Sequence, residues 1–188
     1  MEGYLYLIIG PMFAGKSSKL IRLIRNFRSK NIPILVLKHS LDTRYDSLSE
    51  ICSHDQIKEP CKSTDNLVSY LNTNDYNIAD IIVIEEAQFF GNDLITFCKQ
   101  ATDIDNKYVI VTGLSGNYKR KPFGKILELV PLADKIDKLE AYCFFCEKIT
   151  PANYTLRLSK EQDEIIVGEN NLYQAACRKH FNEFNKSD

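Results

Sequence analysis

The segment Gly10-Pro11-Met12-Phe13-Ala14-Gly15-Lys16-Ser17 fits G-x-x-x-x-G-K-S, the pattern of a loop that wraps a polyphosphate in its own backbone N–H groups. Such a loop works between a strand and a helix N-terminus, where the amides converge and the helix dipole favours an anion. Both flanks are present. Tyr4-Leu5-Tyr6-Leu7-Ile8-Ile9 is a β-type apolar run, and Leu20, Leu23, Ile24 and Phe27 fall at i, i+3, i+4 and i+7, one face of a helix. In that setting Lys16 reaches the β- and γ-phosphates of a nucleoside triphosphate, and the Ser17 hydroxyl reaches Mg²⁺. A glycine turn with a surface lysine is the plain alternative, and the flanks weigh against it.

A second chemical element is Ile84-Glu85-Glu86-Ala87-Gln88-Phe89-Phe90. Acidic pairs are common on surfaces, but this one ends the apolar run that begins at Asp80. Downstream of a phosphate loop, a carboxylate at a strand end helps hold Mg²⁺ and orients the attacking group. Two adjacent carboxylates allow one to face the metal and the other the acceptor hydroxyl.

The third element is Cys143-x-x-Cys146 followed, after 30 intervening residues, by Cys177-x-x-His180. Two matched x₂ pairs supply three thiolates and one imidazole, a closed tetrahedral set that suits structural Zn²⁺ and leaves no position for catalysis. Four unconnected residues are the bland alternative. Cys52, Cys61 and Cys98 lie outside the pattern and read as packing residues.

The elements that must position these groups alternate. Pro33–Leu37, Asp80–Glu86 and Tyr108–Gly113 read as further buried strands, with Ile136–Tyr142 as a last one. Helices are expected over 65–73, 92–102 (with Leu94, Ile95, Phe97 and Cys98 apolar) and Phe123–Val130. Lys38–Thr64 is polar and reads as a long loop, of the kind that is functional or mobile. Continuous apolar strands alternating with helices imply an α/β fold with a parallel sheet covered on both faces. Ligands then sit at the carboxyl ends of the strands, where Lys16, Glu85, Glu86 and the Gly113–Lys121 loop all fall. The character of the chain changes at Cys143, which divides it into 1–141 and 142–188.

The chain has 188 residues, 44% hydrophobic and 26% charged, enough for a packed core, and a formal net charge of −1. No global basic field advertises nucleic acid, although Lys and Arg gather at 16–30 and 119–125. No apolar run approaches bilayer length. With a C-x-x-C beside a phosphate loop, the thiols read as reduced and the cytoplasm as the compartment. A nucleic-acid-stimulated ATPase using the metal lobe and Lys119-Arg120-Lys121 is a rival reading, as is a kinase of another small molecule.

Seven segments, in order, resemble the cytosolic-type (type II) thymidine kinase family. They are GPMFAGKS at 10–17, DTRY at 42–45, EEAQFF at 85–90, KRKPFG at 119–124, CFFC at 143–146, NYTLRL at 153–158 and LYQAACRKH at 172–180. The resemblance implies a P-loop NTPase-type sheet flanked by helices, with a small C-terminal zinc-ribbon and lasso domain closing over the nucleoside. It implies ATP- and Mg²⁺-dependent phosphorylation of the thymidine 5′-hydroxyl, with Glu86 as catalytic base and Arg44 near the transferring phosphate. Asp42, Glu85 and Gln88 join the loop Gly10–Ser17 on the cofactor side. Met12, Phe89, Leu114, Tyr118, Phe123 and Tyr173 match positions around the base and sugar, and Thr155 with Ile166-Val167-Gly168 matches the lasso. Acceptance of deoxyuridine, feedback inhibition by dTTP and a homotetramer are implied as well. This chain departs from the family pattern in Glu85 and Ser115, each where Asp is usual, and in Tyr118, where Phe is frequent. It also has His180 for a fourth Cys and Gly168 for a glycine pair.

Overall fold

The computed structural model describes residues 2–42, 49–52, 56–159 and 172–186. In chain order the first strands are β1 (Tyr4–Gly10), β2 (Ile34–His39), β3 (Glu50–Cys52), β4 (Lys58–Pro60), β5 (Lys62–Thr64), β6 (Ile81–Glu85), β7 (Tyr108–Leu114) and β8 (Lys135–Lys138). Six of them form one sheet in the order β5-β2-β6-β7-β1-β8. Every pairing in it is parallel. β3 and β4 make a separate antiparallel pair.

Alternation along the strands supplies both faces with apolar side chains. Leu5, Leu7 and Ile9 of β1 enter one core cluster with Leu94, Phe97 and Cys98 of helix α3 (Asn92–Lys99). Tyr6 and Ile8 enter the other, with Leu20, Ile21 and Ile24 of helix α1 (Lys16–Ser29). Two covered faces explain the continuously apolar strands, since β6 is buried at every position. Truncating a fully buried residue such as Ile82 to Ala costs about 2–5 kcal/mol. α1 has no internal Gly or Pro, stops where Asn31 takes φ 55, and cannot resume through Pro33. Arg25 and Arg28 on α1 pair with the buried Glu59 of β4, which holds the β3–β4 hairpin against the helix.

Four expected elements differ. The polar stretch Lys38–Thr64 is not an uninterrupted loop. It contains β3, β4 and β5, and β5 extends the sheet by pairing its three residues with Leu37, Lys38 and His39. An edge strand with one solvated side carries no apolar signature. The helix expected over 65–73 is a 3₁₀ turn at Val68–Tyr70 followed by α2 (Asn74–Ile78), which starts where the Thr73 hydroxyl accepts the Tyr76 N–H. The element after Phe123 is a 3₁₀ helix over Ile126–Leu132, with Pro131 withholding the N–H that an α-helix would need. The last expected strand splits. The chain leaves the sheet at Leu139, whose N–H donates to Ile9 at 2.7 Å, and resumes in β9 (Ala141–Tyr142).

The C-terminal lobe comprises β9, β10 (Pro151–Ala152), β11 (Tyr154–Arg157), β12 (Tyr173–Ala176) and α4 (Arg178–Phe184). β9 pairs with β10 and β11 with β12, both antiparallel. Cys52 and Cys98 are buried and Cys61 is half-buried, with burial pushing the Cys61 thiol up to about 12, as expected of packing thiols. Among the described residues no helix is long and apolar enough to cross a membrane.

Candidate active site

β1 ends at Gly10 and α1 begins at Lys16, so the glycine loop occupies the carboxyl edge of the sheet. Two of its residues adopt left-handed backbone, Phe13 at φ 64 and Gly15 at φ 72, the latter directly before the helix. α1 starts without a side-chain cap and without an acid in its first turn, which leaves its first N–H groups to an anion. The buried Lys16 ammonium donates to the Pro11 carbonyl at 2.7 Å and so stands over the start of the loop.

The acidic pair lies two strands away on the same edge. Glu85 closes β6 and Glu86 follows at φ 52, a left-handed conformation that costs a residue with a Cβ about 1–2 kcal/mol. Both side chains are buried, at 3% and 5% exposure. Gln88 is the reason Glu86 can be held there. Its amide nitrogen donates to the Glu86 carboxylate, and its amide oxygen accepts the Leu114 N–H at 3.1 Å. The next residue, Ser115, donates its N–H to the Gly10 carbonyl at 3.1 Å. Three hydrogen bonds and the Leu114–Ser115 peptide link therefore connect Glu86 to the start of the phosphate loop.

Beyond Glu85, in register on β2, stands Lys38. Its side chain is fully buried, and the ammonium lies 3.4 Å from the Asp42 carbonyl and 3.9 Å from the Asp42 carboxylate. The expected Asp42 and Glu85 thus sit buried at the ends of adjacent segments, with a buried cation placed between chain and carboxylate. His39 follows on β2 and packs edge-on against Phe90, ring centres 4.5 Å apart. Burial lowers its pKa, against the opposing pull of Asp65 and Asp93.

The aromatic positions join in two groups. Phe89 meets Phe123 edge-to-face at 5.8 Å. Tyr118 lies under the Arg157 guanidinium at 3.6 Å, and Arg157 donates to the Tyr173 hydroxyl at 2.6 Å. Thr155 accepts the Met12 N–H at 3.0 Å, bringing the lobe onto the phosphate loop across 143 positions of sequence. Asn117 shapes the loop after β7 by accepting N–H bonds from both Lys119 and Lys121 at 3.0 Å. Arg44, Ile166, Val167 and Gly168 lie outside the described residues.

Sequence reasoning passed over Lys38, Asn117 and Arg157. Lys38 had a visible signal, a cation ending an apolar strand. Arg157 had one too, since it stands two residues from Thr155 and so shares its strand face. Asn117 had none beyond turn composition.

Cys143, Cys146, Cys177 and His180 come together with all four donor atoms within 4.8 Å of one another. The three sulfurs lie 3.5, 3.4 and 3.4 Å from His180 Nδ1, and the Cys146 and Cys177 sulfurs are 3.9 Å apart. Tetrahedral zinc with bonds of about 2.3 Å to sulfur and 2.0 Å to nitrogen needs ligand separations of about 3.5–3.8 Å, so the set fits that ion. Burial opposes the Cys143 thiolate, yet the backbone N–H groups of Cys177 and Phe145, with His180, bring its pKa down to about 6. On the far side of the ring, His180 Nε2 stands 4.0 Å from the exposed Glu183 carboxylate, beyond hydrogen-bond reach.

The thymidine kinase family model matches residues 3–181. The chain belongs to the thymidine kinase family. It is 41% identical over 183 residues to thymidine kinase a of Arabidopsis thaliana, covering 96% of this chain and 75% of that one. The thymidine kinase of Yaba monkey tumor virus is 40% identical over 177 residues, with 94% and 93% covered. That of vaccinia virus (strain Western Reserve) is 38% identical over 178 residues, with 94% and 96% covered. As a thymidine kinase the chain is a phosphotransferase that uses ATP and acts on thymidine.

Proposed function

We propose that Glu86 is the catalytic base of this thymidine kinase, accepting the proton of the 5′-hydroxyl as that oxygen attacks the γ-phosphate. The observation that supports this is the connection of three hydrogen bonds and one peptide link from Glu86 through Gln88, Leu114 and Ser115 to Gly10, which couples the carboxylate's position to that of the phosphate loop. A strained, buried carboxylate held by a side-chain amide suits a base that must meet one hydroxyl in one orientation. The residues Gly10–Ser17 cradle the triphosphate, with Lys16 on its outer phosphates. Ser17, Asp42 and Glu85 offer the oxygen donors that Mg²⁺ prefers, and bound Mg²⁺ supplies charge neutralisation between the phosphates. Arg44 adds positive charge where the phosphoryl group transfers. Catalysis in this reading is positioning and electrostatics.

Met12, Phe89, Leu114, Tyr118, Phe123 and Tyr173 pack around the nucleoside, with Thr155 and Ile166-Val167-Gly168 closing over it and excluding water. Residues 1–141 form the ATP-binding domain and 142–188 the lobe that carries zinc and lasso. Zn²⁺ on Cys143, Cys146, Cys177 and His180 is structural, since four protein donors fill its tetrahedron. We further propose a cytoplasmic homotetramer that accepts deoxyuridine, is inhibited by dTTP and needs neither membrane nor nucleic acid. Against the nucleic-acid rival stands the formal net charge of −1; within the exposed basic run, Arg120 also contacts the lobe, 4.6 Å over the Phe181 ring and donating to Asn182 at 3.2 Å.

The test is transfer of a radiolabelled γ-phosphate from ATP to thymidine, deoxycytidine or deoxyadenosine, with Mg²⁺ and zinc-loaded protein. Label on thymidine and on neither of the others is expected. ATP hydrolysis without labelled nucleoside, stimulated by DNA or RNA, would overturn the reading.

A further inference from the structure

Arg157 takes no part in the steps above, yet it is a cation at 6% exposure, withdrawn from water where a solvated position would be less costly. Its place on β11 explains the direction it takes. Thr155, two residues earlier, lies on the same strand face, and its hydroxyl receives the Met12 N–H of the phosphate loop. The face that carries Arg157 therefore looks from the lobe onto the carboxyl edge of the sheet. There the guanidinium carbon comes within 3.6 Å of the Tyr118 ring centre, close enough for direct stacking. Its Nη2 donates to the hydroxyl of Tyr173, its register partner on β12, and the same guanidinium is 5.2 Å from that ring.

We propose that Arg157 is a positioning residue for the nucleoside, fixing Tyr118 and Tyr173 relative to each other before the substrate arrives. The proposal rests on the reading of those two tyrosines as walls of the nucleoside site. Tyr118 belongs to the loop that follows β7, and Tyr173 to the lobe. Among the described residues no main-chain ladder joins those two segments, so side chains set the distance between their rings. A planar guanidinium can stack on one ring and donate in its own plane to the hydroxyl of the other. An ammonium has the charge without the plane. With the clamp in place the two rings are ordered in the free protein; without it, the nucleoside must order them on binding. That ordering weakens ground-state binding and leaves the reacting 5′-hydroxyl and Glu86 untouched, because Glu86 is held separately through Gln88.

The experiment is steady-state kinetics of the zinc-loaded full chain, with thymidine and ATP varied separately. Arg157→Lys is expected to raise the thymidine KM about tenfold while kcat and the ATP KM stay within about twofold. Tyr173→Phe, which removes the accepting hydroxyl alone, is expected to raise the thymidine KM about threefold. Combining the two changes should add little to Arg157→Lys, since both break one clamp. A merely structural role would instead lower kcat, or raise both KM values together, and either result overturns the proposal. So does an unchanged thymidine KM in Arg157→Lys, or in Tyr173→Phe if the lysine variant fails to fold. Tyr118→Leu, which removes one of the two rings, separates the proposal from its premise. If that change leaves the thymidine KM untouched, the nucleoside-site reading fails. If it raises the KM and the Arg157 and Tyr173 variants do not, the clamp alone is wrong.

Discussion

Gln88 donates its side-chain amide to the Glu86 carboxylate and so fixes the one acidic side chain whose backbone is left-handed at the end of β6. The same amide accepts from Leu114 at the end of β7, so two neighbouring strand ends are locked through a single side chain. Glu86→Gln keeps the size and a hydrogen-bonding group but loses the basic oxygen. It is expected to bind ATP normally while kcat falls about 10²–10⁴-fold. Calorimetric ATP titration beside steady-state kinetics checks this, and near-normal turnover would remove Glu86 from the role of base.

Gly124 protects that lock from the other side. It adopts φ +60, and a Cβ there would lie 2.0 Å from the Gln88 carbonyl oxygen, a backbone atom that no rotamer change can move away. Gly124→Ala must therefore displace the turn that carries Gln88, and Glu86 with it. A loss of about 1–3 kcal/mol in stability is expected together with reduced kcat. Denaturant unfolding and turnover measured on the same preparation should fall together. Lost stability with full activity would show that the turn relaxes away from Glu86.

What the sequence revealed and what it hid follow from the reach of each interaction. The phosphate loop, the strand ending in Glu85 and the paired metal ligands are local patterns, so Gly15, Lys16, Cys143 and Cys177 could be read from their neighbours. The buried strands were equally legible because a parallel sheet covered on both faces needs unbroken apolar runs. β5 was illegible, since three edge residues of mixed polarity gain their strand from β2 alone. The split between β8 and β9 follows the last main-chain bond of Leu139 to Ile9 on the neighbouring strand, a partner remote in sequence, and Arg157 acquires its meaning from Tyr118 on another segment. Strand alternation from Thr155, and its place in the NYTLRL segment at 153–158, were sequence clues to it.

The Met12–Thr155 hydrogen bond ties the lobe to the phosphate loop, beside Ala14, which packs against Ala141, Cys143, Ala152, Ala175 and Cys177 of the lobe. Thr155→Val retains the shape and leaves the Met12 N–H without this acceptor, at a cost of about 1–3 kcal/mol if no water replaces it. The thymidine and ATP KM values are both expected to rise, because the contact joins the nucleoside side to the phosphate side. Thr155→Ser restores the hydroxyl and should recover both. Failure of the serine variant to recover would assign the effect to packing of the methyl group.

The metal site predicts one zinc per chain by elemental analysis. Three thiolates and an imidazole within mutual reach repel one another or trap protons unless a cation sits among them, so the lobe's order is expected to depend on a bound ion. Chelation is expected to loosen β9 to β12 and α4 and abolish thymidine phosphorylation, with zinc alone restoring it. Cys146→Ser should lower zinc content and activity in proportion. Full activity in zinc-free protein would overturn the structural role.

His39 gives the fold a dependence on mildly acidic pH. Its ring is packed between Phe90 and Phe89, and its Nδ1 accepts the Leu41 N–H at 3.0 Å, so burial favours the neutral form despite Asp65 and Asp93. The folded pKa thus lies below the unfolded value of about 6.5. Above 6.5 both states are neutral and His39 adds no pH dependence. As pH falls below that value the unfolded chain takes up the proton first, and stability is lost until the folded pKa is passed. His39→Asn offers an amide oxygen in place of Nδ1 and cannot titrate. Between pH 7 and pH 5 the urea midpoint of the wild type is expected to fall more steeply than that of His39→Asn. Parallel pH profiles would show that the ring accommodates its proton where it stands, with the Leu41 contact broken at no cost to the fold.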